Sequence, residues 1–142
     1  MRDYLAITKA LSDETRLRLL MALRDQEVCL CQLAELVSLA SSTVSKHMSI
    51  LRQSRLVEGR RDGRWTYYRL ADKDAPVAVR KALQWTLESL ADDPRVARDV
   101  ERLSEIILVN PQTLCDDTCS PKKGVAPAVG AKRLRPAAGS SR

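Results

Sequence analysis

Four cysteines and a single histidine carry most of the chemistry this chain could perform. Cys29 and Cys31 are separated by one residue, Cys115 and Cys119 by three, and His47 stands alone. Thiolates are soft ligands that select Zn, Cd or Cu(I) and, by the same logic, trivalent arsenic and antimony. The chain opens on the polar run Met1-Arg2-Asp3-Tyr4, without the apolar core of a secretory signal. A cytoplasmic location is therefore expected, where structural disulfides are rare and closely spaced cysteines read as ligands. One histidine excludes any site that needs two imidazoles. No phosphate loop, carboxylate box or Ser/His/Asp set is recognisable, so an enzyme is not expected. A thiol redox regulator is the less favoured alternative, because Cys-x-x-Cys at a helix start beside a βαβ unit is missing.

The spacing of the first pair has a geometric consequence. Residues i and i+2 of a regular helix point about 200° apart. Sulfurs sharing one ion with bonds of about 2.3 Å must approach to roughly 4 Å. Capture by Cys29 and Cys31 is thus expected to distort the start of the helix that covers about 30–37. Cys115 and Cys119, at i and i+4, would share a helix face and could supply further thiolates.

These residues sit in a chain of 142 residues with a formal net charge of +6, long enough for one domain with an ordinary core. No apolar run approaches the roughly 20 residues of a membrane span. The charge is unevenly placed. Residues 120–142 hold six basic residues and no acid, and the rest of the chain is neutral. Within that neutral part, residues 41–69 carry seven basic side chains against Glu58 and Asp62. A basic island in surroundings of opposite sign is the footprint of a nucleic-acid surface.

Hydrophobic spacing supplies the elements that must position these groups. A helix over about 14–24 begins at Asp13-Glu14, with Leu17, Leu20 and Met21 at helical spacing. The helix over about 30–37 follows, with Leu33, Leu36 and Val37 on one face. After Ser38-Leu39-Ala40, a helix over about 42–53 is capped by Ser41 or Ser42. Val44, Met48 and Leu51 form its inner stripe. Its outer face shows Ser42, Thr43, Ser45, Lys46 and Ser49. Two short helices joined by a tight turn, the second polar on its outer face, form a helix-turn-helix pattern. Two β-prone runs flank Asp62-Gly63, a strong hairpin signal in which both turn residues would take positive φ. Arg60, Arg61, Arg64 and Arg69 lie on or beside it, and Trp65 and Tyr67 read as hairpin packing. The helices over about 3–10, 75–91 and from Pro94 carry apolar faces, including Tyr4, Leu5, Leu83, Leu87 and Val100. These faces either pack on the chain's own core or form a dimer interface. The expected architecture is mainly α with a small β-hairpin, a winged helix-turn-helix over 1–110 that is homodimeric through its terminal helices. Residues 111–142 form a cysteine-containing basic tail whose composition predicts disorder.

Together these segments resemble the ArsR/SmtB family of winged-helix metalloregulatory repressors, in its arsenic- and antimony-responsive branch. Ala10-Leu11-Ser12-Asp13-Glu14-Thr15-Arg16-Leu17 resembles the family's opening helix, and Val28-Cys29-Leu30-Cys31 its Cys-x-Cys box. Ser41 to Arg52 resembles its recognition helix, and Arg60 to Tyr68 its wing. The likeness covers about residues 4–91. It implies a homodimer on double-stranded operator DNA, released when arsenite or antimonite binds cysteine thiolates, so that resistance genes are switched on. It implies no organic cofactor. A repressor responsive to Cd, Zn, Pb or methylarsenite is the alternative. The resemblance implies DNA contacts from Ser42, Thr43, Ser45, Lys46, His47 and Ser49, with Arg61 and Arg64 following the backbone or minor groove. His47 could instead be a hydrogen-bonded packing residue. The chain departs from the branch at Ala34, where a third cysteine is often found. The metalloid would then use two thiolates, or draw on Cys115 or Cys119.

Overall fold

The computed structural model describes residues 1–109 of the protein. The expectations for Cys115, Cys119 and the basic tail lie outside the described residues. Six helices and three strands follow in the order α1 (Arg2–Ala10), α2 (Glu14–Ala22), β1 (Val28–Cys29), α3 (Leu30–Val37), α4 (Ser41–Gln53), β2 (Val57–Asp62), β3 (Trp65–Leu70), α5 (Val77–Ser89) and α6 (Pro94–Leu108).

Local chemistry accounts for most boundaries. Asp13 caps α2 by accepting from the Arg16 amide, and Asp93 caps α6 by accepting from the Arg95 and Val96 amides. Pro94 occupies the first turn of α6, where its missing N–H costs nothing. Both helices of the helix-turn-helix end the same way. After α3 the Leu39 amide donates to Ala34 and the Ser38 amide to Glu35, with Ser38 at φ 57. After α4 the Leu56 amide donates to Leu51 and the Arg55 amide to Arg52, with Arg55 at φ 64. This paired closure needs one left-handed residue, a role usually taken by glycine. The expected serine cap on α4 is not formed. The helix begins one residue earlier, from Ala40 in extended conformation and without a side-chain cap bond.

Inner faces of the helices converge on one core that includes Leu19, Leu20, Leu33, Leu36, Val44, Met48, Leu51 and Leu56, all almost fully buried. α6 closes over α2 and α3. Arg18 on α2 forms a forked pair with Asp99 on α6, at 2.7 and 2.8 Å.

The expected hairpin is part of a three-stranded antiparallel sheet of order β1-β3-β2. Its connection also differs from the expectation. Asp62 pairs with Trp65, so the two-residue loop is Gly63-Arg64, and only Gly63 takes positive φ, at 63°. Glycine at the first of two loop positions is the II′ pattern, whose twist suits a hairpin as well as the expected I′ form. β1 adds Val28 opposite Tyr68 and Cys29 opposite Tyr67. Because side chains alternate across a sheet, Val28 and Tyr68 enter the main core. Cys29, Tyr67 and Trp65 form a second cluster with Cys31 on the other face.

Candidate thiol site and nucleic-acid interface

Cys29 is the last residue of β1 and the cap residue of α3. Its backbone is extended, at φ −74 and ψ 147, while Cys31 lies in the first turn of the helix. The two sulfurs are therefore not opposed across a regular helix. The cap conformation places Cys29 in extended backbone just ahead of the first turn, and both cysteines belong to one small buried cluster. Both residues are buried, at 0% and 2% exposure. Gln32 completes the start of the helix by accepting from the Cys29 amide at 3.0 Å, while the Cys29 side chain faces the amide of Gln32 itself. Burial pushes the Cys29 thiol above its ordinary range, and the amides of Cys31, Gln32 and Leu30 oppose that rise. Backbone donors thus face a thiol whose desolvation favours the protonated form.

Trp65 and Tyr67 of β3 pack against the sulfur pair. Burial also raises the Tyr67 phenol, keeping it neutral. The Trp65 indole N–H is buried without a hydrogen-bond acceptor. Arg60 of β2 lies over the Tyr67 ring, 4.7 Å from its centroid. It makes a forked bond to Glu27 at 2.9 and 2.7 Å, just ahead of β1. The Arg60 guanidinium holds the Glu27 carboxyl below its usual range. The segment bearing Cys29 is thus fastened to the wing twice, through the β1–β3 pairing and through Glu27–Arg60. Among the described residues no group of three or more His, Cys, Asp or Glu side chains is arranged to hold a metal ion.

The outer face of α4 is as expected. Ser42, Thr43, Ser45, Lys46 and Ser49 are exposed, and Val44, Met48 and Leu51 are buried. His47 stands apart from this face. It is half-buried, with Nδ1 3.4 Å from an Arg16 amino group and 4.0 Å from Asp13. Arginine can only donate, so Nδ1 accepts and the ring proton belongs on Nε2. Arg16 also donates to the carbonyls of Ala10 and Lys9 at the end of α1, at 2.8 and 3.1 Å. Arg16 therefore joins α1, the cap of α2 and the inner edge of α4. Spacing alone could not reveal that link. His47 does lie between Val44 and Leu51 at helical intervals, which was the available sign of an inward position.

The four wing arginines divide by partner. Arg60 is held by Glu27 and Tyr67, and Arg69 by Glu58 at 2.7 Å. Arg61 is exposed and makes no ion pair among the described residues. Arg64 is exposed on the loop, with its guanidinium 5.8 Å from the Trp65 ring centroid.

Residues 13–59, spanning α2 through the first residues of β2, match the family described as bacterial regulatory protein, arsR family. A transcriptional repressor of Synechocystis sp., described as an SmtB homologue, is 45% identical over 80 residues, covering 56% of this chain and 61% of that protein. The chain thus spans about three fifths of that relative's length. An arsenic resistance transcriptional regulator of Pseudomonas putida is 33% identical over 110 residues, 75% of this chain and 84% of that protein. A solved homodimeric winged helix-turn-helix DNA-binding domain from Mycobacterium bovis, a possible ArsR-family regulator, is similar at TM-score 0.53 and 28% identity, over 65% of this chain and 81% of that one. The likeness in sequence to the Pseudomonas regulator over most of its length, and the order of helix-turn-helix and wing, lead to one conclusion. The chain belongs to the arsR family of bacterial regulatory proteins, which are DNA-binding transcriptional regulators and not enzymes.

Proposed function

We propose that this protein is a repressor that occupies double-stranded operator DNA as a homodimer and leaves it when trivalent arsenic or antimony is captured by Cys29 and Cys31. The observation that carries this reading is the placement of the sulfur pair. It packs against Trp65 and Tyr67, in hydrogen-bonded register with the wing strand. A ligand that draws the two sulfurs together pulls on β1, and β1 is fastened to β3 by pairing and to β2 by Glu27–Arg60. The same capture moves the cap of α3, which packs on α4. Both DNA-contacting elements are then biased by one event, and the coupling is reciprocal: bound DNA weakens capture by the same factor.

On DNA, α4 enters the major groove through Ser42, Thr43, Ser45, Lys46 and Ser49, whose short side chains permit close approach. His47 contributes through Nε2 or by holding the helix against Arg16. Arg61 and Arg64 follow phosphates or the minor groove. The dimer forms through the terminal helices. Tyr4 and Leu5 on α1 and Trp85 on α5 are large apolar residues exposed on helices that touch each other. Such a patch marks an interaction surface. Cys115 and Cys119 remain candidates for a further thiolate. Acting on promoter DNA, the protein works in the cytoplasm, and no helix among the described residues is long and apolar enough to cross a membrane.

The test is release of promoter DNA by arsenite, antimonite, methylarsenite, Cd and Zn, measured by fluorescence anisotropy. It is run on the native protein and on single serine replacements of Cys29, Cys31, Cys115 and Cys119. Loss of release in Cys29→Ser and Cys31→Ser is expected. Full release of Cys29→Ser overturns the reading. Loss in one tail variant alone identifies a third thiolate.

A further inference from the structure

Arg16 makes three directed contacts through one planar group. Its Nε and one amino group donate to the carbonyls of Ala10 and Lys9, at 2.8 and 3.1 Å. Its other amino group meets Nδ1 of His47 at 3.4 Å. Guanidinium donors form a fixed fork, so the two bonds at the end of α1 aim the third arm at His47. The Asp13 carboxylate, 4.0 Å from Nδ1, lies beyond hydrogen-bond reach and already accepts from the Arg16 amide. Nδ1 is the one ring nitrogen with a partner among the described residues, and Nε2 is not enclosed by protein. Helical side chains lean toward the N-terminus of their helix, and Thr43, four residues earlier, is exposed on the outer face of α4. The open nitrogen of His47 therefore borders the surface that carries the candidate DNA contacts.

We propose that Arg16 is a positioning residue for DNA reading: it holds His47 in the tautomer whose Nε2–H donates to an acceptor on DNA, a phosphate oxygen or the acceptor edge of a base. The proposal rests on the reading that α4 enters the major groove. In the other tautomer Nε2 accepts, and it favours the amino groups of adenine and cytosine. Arg16 excludes that form by claiming the lone pair of Nδ1. Its remaining arms are tied to α1, so the choice is made before DNA arrives.

The chain has a single histidine, so its ring can be observed alone. Long-range proton–nitrogen NMR correlation is recorded on the full-length native protein with isotope-labelled histidine, at about pH 8, above the ordinary histidine range. A protonated Nε2 and a bare Nδ1 are expected. A protonated Nδ1, alone or with Nε2, overturns the proposal. Affinity for a promoter duplex, read by anisotropy, is the second arm. His47→Ala should lose at least about tenfold, the scale of one hydrogen bond, and His47→Gln, whose amide can donate from the same place, should recover most of it. Arg16→Met should weaken the native protein by a similar factor, yet by less than about twofold in a His47→Ala background, because the two residues act as one unit. An equal loss in both backgrounds overturns the proposal, since Arg16 would then serve the fold alone. If Arg16→Met fails to fold, Arg16→Lys, which keeps the charge and loses the fork, takes its place. A loss confined to the promoter duplex assigns a base edge, and a loss shared with unrelated DNA a phosphate; either supports the donor role. No loss in His47→Ala overturns the proposal and leaves the reading of α4 standing, whereas a native protein that binds no promoter duplex ends both.

Discussion

Arg61 and Arg60 are neighbours in sequence, yet their replacement by alanine should give opposite results. Arg61 is exposed and makes no ion pair among the described residues, so its charge is available to a phosphate. Arg60 is committed to Glu27 at 2.7 Å and to the Tyr67 ring. Each phosphate contact contributes about 0.9 to the slope of log affinity against log salt. In the proposed dimer, two wings lose two contacts in Arg61→Ala, so the slope should fall by about 1.8. Between 50 and 200 mM salt, the variant's affinity should therefore change by about tenfold less than that of the native protein. The loss should be similar on operator and on unrelated DNA, because backbone contacts carry no sequence information. Arg60→Ala should leave the slope within error while lowering the thermal midpoint, since β1 loses one of its two fastenings. The assay is anisotropy titration across the salt series, with circular dichroism melts on the same samples. An unchanged slope in Arg61→Ala, or an equal fall in Arg60→Ala, would refute this division of the wing.

Three further outcomes follow from the fold. Burial raises the Cys29 thiol, so its stabilising contribution is complete below the ordinary thiol value of about 8.5 and is lost as pH rises through that value and the raised one. Urea midpoints should fall on the alkaline side, and Cys29→Ser should flatten that fall. Asp99→Ala strands Arg18, whose side chain is only 17% exposed. The cost should lie toward the low end of the about 3–5 kcal/mol for breaking a buried pair, and Arg18→Met with Asp99→Leu should recover most of it in urea unfolding. Gly63→Ala forces a side chain into φ 63 and should cost about 1–2 kcal/mol, without changing the DNA salt slope.

Periodicity was enough for the six helices and the wing, because each buries an apolar stripe or alternates over several residues. Val44, Met48 and Leu51 marked the inside of α4, and the polar residues between them marked its outside. β1 could not be found this way. Two residues show no alternation, and Val28–Cys29 is a strand only because the edge of β3 accepts it. That one omission also left the backbone of Cys29 unread: it stands just ahead of the helix over about 30–37, and its pairing with β3 makes it an extended cap. The α4 cap was misread for a related reason. Ala40, Ser41 and Ser42 are all small, and packing decides among them where capping preference does not. Trp65 and Tyr67 were legible as packing residues, although nothing local indicated that their partners were the two cysteines.

The two sides of the wing sheet have separate duties. Tyr68 and Val28 belong to the main core, while Tyr67, Trp65 and Cys29 belong to the small cluster behind it. The small thiol cluster proposed for sensing can therefore change while the larger core keeps its own contacts. Under the proposed reading, the regulator would answer its inducer and reset without dismantling the core that folds the domain.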